Sequence, residues 1–333
     1  MSNDEFRPLP FLANAHLQTV LSLWLKGGRV PGATRRHVVR LPDGDCLVLH
    51  ENTPRTWKPG VPVTIVIHGL TGSYRSSGVV ALARHLFAQG VRVFRLDLRG
   101  AGAGLRVARR TYNAGCSGDV RAALAAVSTL APNSPLWLVG TSLGGNVALK
   151  LAGELPQHPV PQLAKVAVLN PPADLHACVT RIEERRNRFY EWRFVTELLG
   201  ADRLRAKIFG GEAPPEKARR LRLRDYDDRY TAPRGGFSGV SDYYTRASSA
   251  SLVPHITVPT LILTSRDDPF IAVESLEAMS RPSHVELRIA SSGGHTGFLG
   301  RDGNGGWSWA EWAIVKWLTC IREEPRTEET RTK

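Results

Sequence analysis

Short apolar runs separated by helical segments constrain this chain more than any other feature. Val63–Ile67 is a continuous β-branched run and reads as a buried strand. Further strand-like runs follow at Val91–Leu96, Leu136–Val139, Val166–Leu169, Thr260–Leu263 and Val285–Ile289. Between them, Ser77–Gln89 places Val80, Leu82, Ala83, Leu86 and Phe87 at helical spacing before Gly90, a plausible stop. Asp119–Leu130 is an alanine-rich helix and Leu143–Leu155 another. Strands alternating with helices imply right-handed crossovers and a mostly parallel sheet covered on both faces.

Upstream, His37–Leu41 and Cys46–His50 flank Pro42-Asp43-Gly44-Asp45 and read as a hairpin. Downstream of Pro171-Pro172 the rhythm is lost until about Ser251. That stretch is helical and arginine-rich, with Phe189, Trp192, Val195 and Leu199 spaced by three and four. It reads as a helical cap insertion over 173–250, its stripe either packing on the body or roofing a pocket. The core domain would then comprise 1–172 and 251–324. A final helix is expected over Trp307–Ile321 and a flexible tail over 325–333.

The chain has 333 residues, enough for one large α/β domain, and 42% are hydrophobic, too many for a disordered protein. Its four cysteines are scattered without metal-ligand spacing, which argues against a disulfide scaffold or structural zinc and fits a reducing compartment. No secretory signal or membrane-spanning run is visible, so the expected location is the cytoplasm. The net charge is +13. The excess is spread along the chain, with no nucleic-acid-binding signature, so no nucleic-acid partner is expected. The arginine-rich cap suits weak peripheral association with anionic membrane.

Gly140-Thr141-Ser142-Leu143-Gly144 lies between the run Leu136–Val139 and the helix that follows. A serine at such a strand-to-helix turn projects its Oγ above the sheet, and the flanking glycines leave room for the tight crossing. The hydroxyl needs a base to take its proton, and the base needs an orienting group. His295 follows Gly293-Gly294 on the loop after Val285–Ile289 and suits the base. For the acid, Thr264-Ser265-Arg266-Asp267-Asp268-Pro269 offers Asp267 and Asp268. Asp267 is preferred, because Asp268 precedes a proline that holds its backbone extended for a turn. The amides of Leu143 and Leu70 are candidate oxyanion donors. His68 reads as a structural hydrogen-bonding residue. Gly100-Ala101-Gly102-Ala103-Gly104 has the wrong spacing for a dinucleotide and reads as a flexible turn carrying Arg99.

These residues, with Asn14-Ala15-His16-Leu17-Gln18-Thr19, His68-Gly69-Leu70-Thr71-Gly72-Ser73, Asn170-Pro171-Pro172 and Gly293-Gly294-His295-Thr296-Gly297-Phe298, make the chain resemble the α/β-hydrolases. Within that superfamily it is similar to the YheT-like group, also called the AB hydrolase 4 family. It departs from that pattern at Ala15, usually proline, and at Thr141, usually aromatic. The resemblance implies a charge relay of Ser142, Asp267 and His295 and hydrolysis of carboxylic esters such as acylglycerols, without metal or organic cofactor. A thioesterase or acyltransferase using the same residues, and a non-catalytic binding protein on a hydrolase scaffold, are the alternatives.

Overall fold

Val63, Ile65 and Ile67 point into one hydrophobic core and Val66 into another, because alternate strand residues face opposite sides of the sheet. The computed structural model describes residues 5–215 and 217–320. The expected tail at 325–333 and Ile321 lie outside the described residues. Eight strands form one sheet among the described residues: β1 (Arg35–Arg40), β2 (Cys46–Asn52), β3 (Val63–Ile67), β4 (Arg92–Asp97), β5 (Leu136–Thr141), β6 (Leu163–Leu169), β7 (Thr260–Ser265) and β8 (Val285–Ala290). Their spatial order is β1-β2-β4-β3-β5-β6-β7-β8. The expected hairpin joins β1 to β2, and β2 also runs antiparallel to β4, whereas all pairs from β4 to β8 are parallel.

The helices used below are α1 (Ala15–Leu25), α2 (Ser77–Ala88), α3 (Ser117–Leu130), α4 (Leu143–Gly153), α5 (Leu175–Ile182), α6 (Arg188–Phe209), α7 (Val240–Ala247) and α8 (Trp309–Thr319). On one face, Val120 and Leu124 of α3 and Val147 and Leu151 of α4 join Leu136 and Leu138 of β5. On the other, Leu82 and Leu86 of α2 and Ile314 and Leu318 of α8 pack with Trp137 and Val139. Each buried aliphatic side chain contributes about 1.5–3 kcal/mol, so two-sided cover stabilises the central strands most.

Three local outcomes differ from the sequence expectations. Helix α1 is absent from the sequence expectations. It begins at Asn14, whose Oδ1 accepts the amides of His16 and Leu17, and it buries Gln18, Thr19 and Ser22. The stripe on α6 splits: Val195 and Leu199 are fully buried, while Phe189 and Trp192 face solvent. The Gly100–Gly104 segment runs into a 3₁₀ turn, Gly102–Arg106, and Arg99 beside it is pinned by Asp119 and Asp43. Gly102 has a positive φ of 51°, and a Cβ there would lie 2.4 Å from an Asp97 carboxylate oxygen.

Candidate active site

Ser142 stands between β5 and α4 with φ 52° and ψ −124°, a conformation that costs a non-glycine residue of order 1–3 kcal/mol. The surroundings hold it there. Its amide donates to Leu169 O at 2.8 Å, which ties the turn to the end of β6. A Cβ on Gly140 would come within 2.2 Å of Gly144 O, and one on Gly144 within 2.4 Å of His68 O. Both glycines are therefore steric requirements of the turn. A Cβ on Gly69 would meet Ser142 Cβ at 3.0 Å, so a side chain there would press on Ser142.

His295 reaches the serine from the loop after β8. Its Nε2 is 2.8 Å from Ser142 Oγ and its Nδ1 is 2.8 Å from Asp268 Oδ2. An ionised carboxylate only accepts, so Nδ1 carries the proton and Nε2 is free to accept from the hydroxyl. The loop packs against α1: the His295 amide donates to Thr19 Oγ1 at 2.9 Å, and a Cβ on Gly294 would sit 2.3 Å from Ala15 O.

The preference for Asp267 is corrected by this geometry. Asp267 Oδ1 accepts the Gly294 amide at 2.9 Å and makes no contact with the imidazole. Asp268, fully buried, faces His295 instead. A pre-proline restriction acts on the backbone and says nothing about where the carboxylate points. Asp268 Oδ1 accepts the amides of Phe270 and Ile271 at 2.7 and 3.0 Å, so one carboxylate forms the turn and orients the histidine.

Several supporting residues escaped the sequence reading. Asn170, at φ 47°, donates through Nδ2 to Asp268 Oδ2 and accepts the Thr296 amide on Oδ1 at 3.3 Å. Its positive φ is a conformation asparagine tolerates better than most side chains, and Asn170-Pro171-Pro172 was the available signal. Lys26, at the end of α1, pairs with Glu311 of α8 at 2.7 Å and donates to Thr296 O at 2.9 Å. Burial pushes the Lys26 pKa down, against the opposing pull of Glu311. Tyr112 OH accepts the Thr71 amide at 2.7 Å, and burial raises its pKa.

His68 takes the structural place expected of it. Its Nδ1 donates to Gly69 O at 2.8 Å and its Nε2 accepts the Leu98 amide at 3.3 Å, while burial lowers its pKa. Among the hydrogen bonds of the described residues, neither the Leu70 nor the Leu143 amide has a protein acceptor. Leu143 opens α4, where the first amides are unsatisfied and the helix dipole favours negative charge. Thr141 hydrogen-bonds Ile67 O through Oγ1 at 3.3 Å.

Ser142 and His295 face a cavity of about 810 Å³. Leu175, Val179, Phe194, Leu198 and Phe270 give it apolar walls, and α5 and α6 supply much of that lining. Thus the arrangement places an activatable hydroxyl, an imidazole in the accepting tautomer and two unsatisfied amides beside a chamber suited to an apolar group.

A family model described as alpha/beta hydrolase fold matches residues 62–302. The chain is 31% identical to the Escherichia coli K12 protein YheT, over 97% of this chain and 95% of that one. It is 28% identical to the Saccharomyces cerevisiae medium-chain fatty acid ethyl ester synthase/esterase 2, covering 79% of this chain but 63% of the yeast protein. Among solved structures, the Pyrococcus furiosus esterase Pf2001 superposes with a TM-score of 0.54 at 17% identity, covering 81% of this chain and 90% of that one. At that identity the likeness concerns the fold alone.

Proposed function

The chain belongs to the α/β-hydrolase family, in the YheT-like group, and on that premise we propose that it is a serine hydrolase of carboxylic esters. Ser142 Oγ attacks the ester carbonyl as His295 Nε2 takes its proton, and the carbonyl electron pair moves onto oxygen. Asp268 keeps the proton on Nδ1 and stabilises the imidazolium. The Leu70 and Leu143 amides receive the oxyanion. Collapse of the tetrahedral adduct expels the alcohol, protonated by His295, and leaves an acyl-serine. Water, deprotonated by the same imidazole, then releases the acid and restores the serine.

The observation that carries this reading is the unbroken chain of 2.8 Å contacts from Ser142 to His295 to Asp268 at the wall of a cavity. The apolar lining supports a short-to-medium acyl chain or an acylglycerol. The segment 173–250 is read as a cap on the hydrolase core, since its helices help enclose the chamber. No helix among the described residues is long and apolar enough to cross a membrane.

A fluorophosphonate probe reacts only with an activated serine. It should label the wild type and fail to label Ser142→Ala, whose turnover of p-nitrophenyl esters should fall by about 10³-fold or more. Labelling that survives this substitution defeats the assignment. The synthase activity in the yeast relative's name favours one second reading, transfer of the acyl group to an alcohol rather than to water. Ethyl ester formed in the presence of ethanol would identify it.

A further inference from the structure

A surface helix ordinarily turns its apolar face inward, and α1 does the reverse. It buries Gln18, Thr19 and Ser22 and exposes Leu17, Leu23, Trp24 and Leu25. The inward side has a local explanation. Thr19 receives the His295 amide, and Gln18 accepts the Leu299 amide on Oε1 while its Nε2 donates to Leu12 O. Thr19 and Gln18 are thus committed to the loop that carries the histidine, and Ser22 bonds back to Thr19 O within the helix. Nothing in the packing accounts for the exposure of Leu17 and Leu25, while Leu23 and Trp24 line the cavity and are still largely open to solvent, an exposure that marks an interaction surface.

Helix α6 extends that surface. Phe189 and Trp192 are exposed, with ring centroids 6.0 Å apart. The two helices are joined where His16 stacks on Tyr190, and His16 Nδ1 lies 3.1 Å from Tyr190 OH. Both helices also line the cavity, α1 through Leu23 and Trp24 and α6 through Tyr190 and Arg193. The apolar surface therefore adjoins the route to Ser142. Arg185, Arg186 and Arg188 lie immediately before Phe189 and are exposed. Arg186 pairs with Glu184, whereas Arg185 and Arg188 make no ion pair among the described residues.

We propose that the outward face of α1, with Phe189 and Trp192, docks on an anionic lipid bilayer and holds the cavity at the lipid–water interface. Apolar and tryptophan side chains enter the headgroup boundary, and the adjacent arginines meet the negative surface. A second copy of this chain fits less well, since a two-fold contact would bring the same arginines against each other. The proposal builds on the ester-hydrolase reading, which would explain the benefit of such docking.

The test is co-sedimentation with vesicles of phosphatidylcholine alone and of phosphatidylcholine mixed equally with phosphatidylglycerol. Wild type should bind the anionic vesicles preferentially. Arg185→Gln with Arg188→Gln should weaken that binding by about fivefold per arginine at low salt. The triple variant Leu17→Gln, Phe189→Gln, Trp192→Gln should lose about tenfold or more. Because none of those three lines the cavity, it should still turn over water-soluble p-nitrophenyl acetate at the wild-type rate. Equal binding to both vesicles, binding to neither, or wild-type binding by the triple variant overturns the proposal. So does a wild-type dimer that the triple variant dissolves without any vesicle binding. Ser142→Ala should sediment as wild type does, so failure of the hydrolase reading would be seen separately.

Discussion

Asn170 donates its side-chain amide to Asp268 Oδ2, the same oxygen that faces His295 Nδ1. Through its own Oδ1 it accepts the Thr296 amide at 3.3 Å. One side chain at the end of β6 thereby fixes both the carboxylate and the loop that follows the histidine. The carboxylate cannot rotate away without surrendering several hydrogen bonds in a buried setting, where unmade bonds are costly.

This arrangement separates the two neighbouring aspartates functionally. Asp268→Asn replaces an acceptor by a group that can also donate to Nδ1, favouring the tautomer whose Nε2 carries a proton and cannot accept from Ser142. The kcat should fall by about 10⁴-fold. Asp267→Asn retains a carbonyl oxygen for the Gly294 amide and should leave kcat near the wild-type value. Steady-state kinetics of both variants decide the matter, and the reverse pattern would restore Asp267 to the relay.

Tyr112 bears on the other half of the site. Thr71 follows Leu70 with a positive φ of 58°, and the Tyr112 hydroxyl accepts its amide. Tyr112→Phe leaves that amide without its acceptor, weakening the loop by about 1 kcal/mol. If the loop positions the Leu70 amide for the oxyanion, kcat should drop about tenfold with KM little changed. An unchanged kcat would make Tyr112 a packing residue only.

The strands and the turn at Ser142 were legible because their determinants are local. β-Branched runs specify buried strands, and a serine with a glycine two positions away on each side specifies the crossing at 140–144. Helix α1 was illegible for a physical reason: its buried face is Gln18, Thr19 and Ser22, so periodicity of apolar residues points the wrong way. The choice between Asp267 and Asp268 failed because a pre-proline restriction fixes a backbone, not the direction of a carboxylate. Asn170 and Lys26 act through contacts with residues more than a hundred positions away, which no local pattern records.

Lys26 and Glu311 illustrate such a long-range device, with both side chains entirely out of water. Lys26→Met strands a buried carboxylate and should cost about 3–5 kcal/mol in urea unfolding. Lys26→Met combined with Glu311→Leu should recover most of that loss. It cannot restore the bond to Thr296 O, so kcat should remain below wild type even where stability returns. Full recovery of both would reduce the pair to a packing element.

Asp227 gives the clearest dependence on pH. Its carboxyl lines the cavity and is pushed up to about 6 by burial, only partly offset by hydrogen bonds from Thr231 and Tyr244 and by the charge of Arg224. The folded state holds this proton more tightly than the unfolded chain, whose aspartate titrates near its ordinary value of 3.8. Stability from this group is therefore fully present below about pH 4 and is lost as pH rises through about 6. The loss amounts to about 3 kcal/mol. Asp227→Asn keeps an acceptor for Thr231 and a donor for the Tyr244 oxygen without a titrating charge. Its advantage over wild type in denaturant unfolding should grow between about pH 4 and pH 6 and then level off. A difference that stays flat across that window would show that the carboxyl ionises normally in the folded protein.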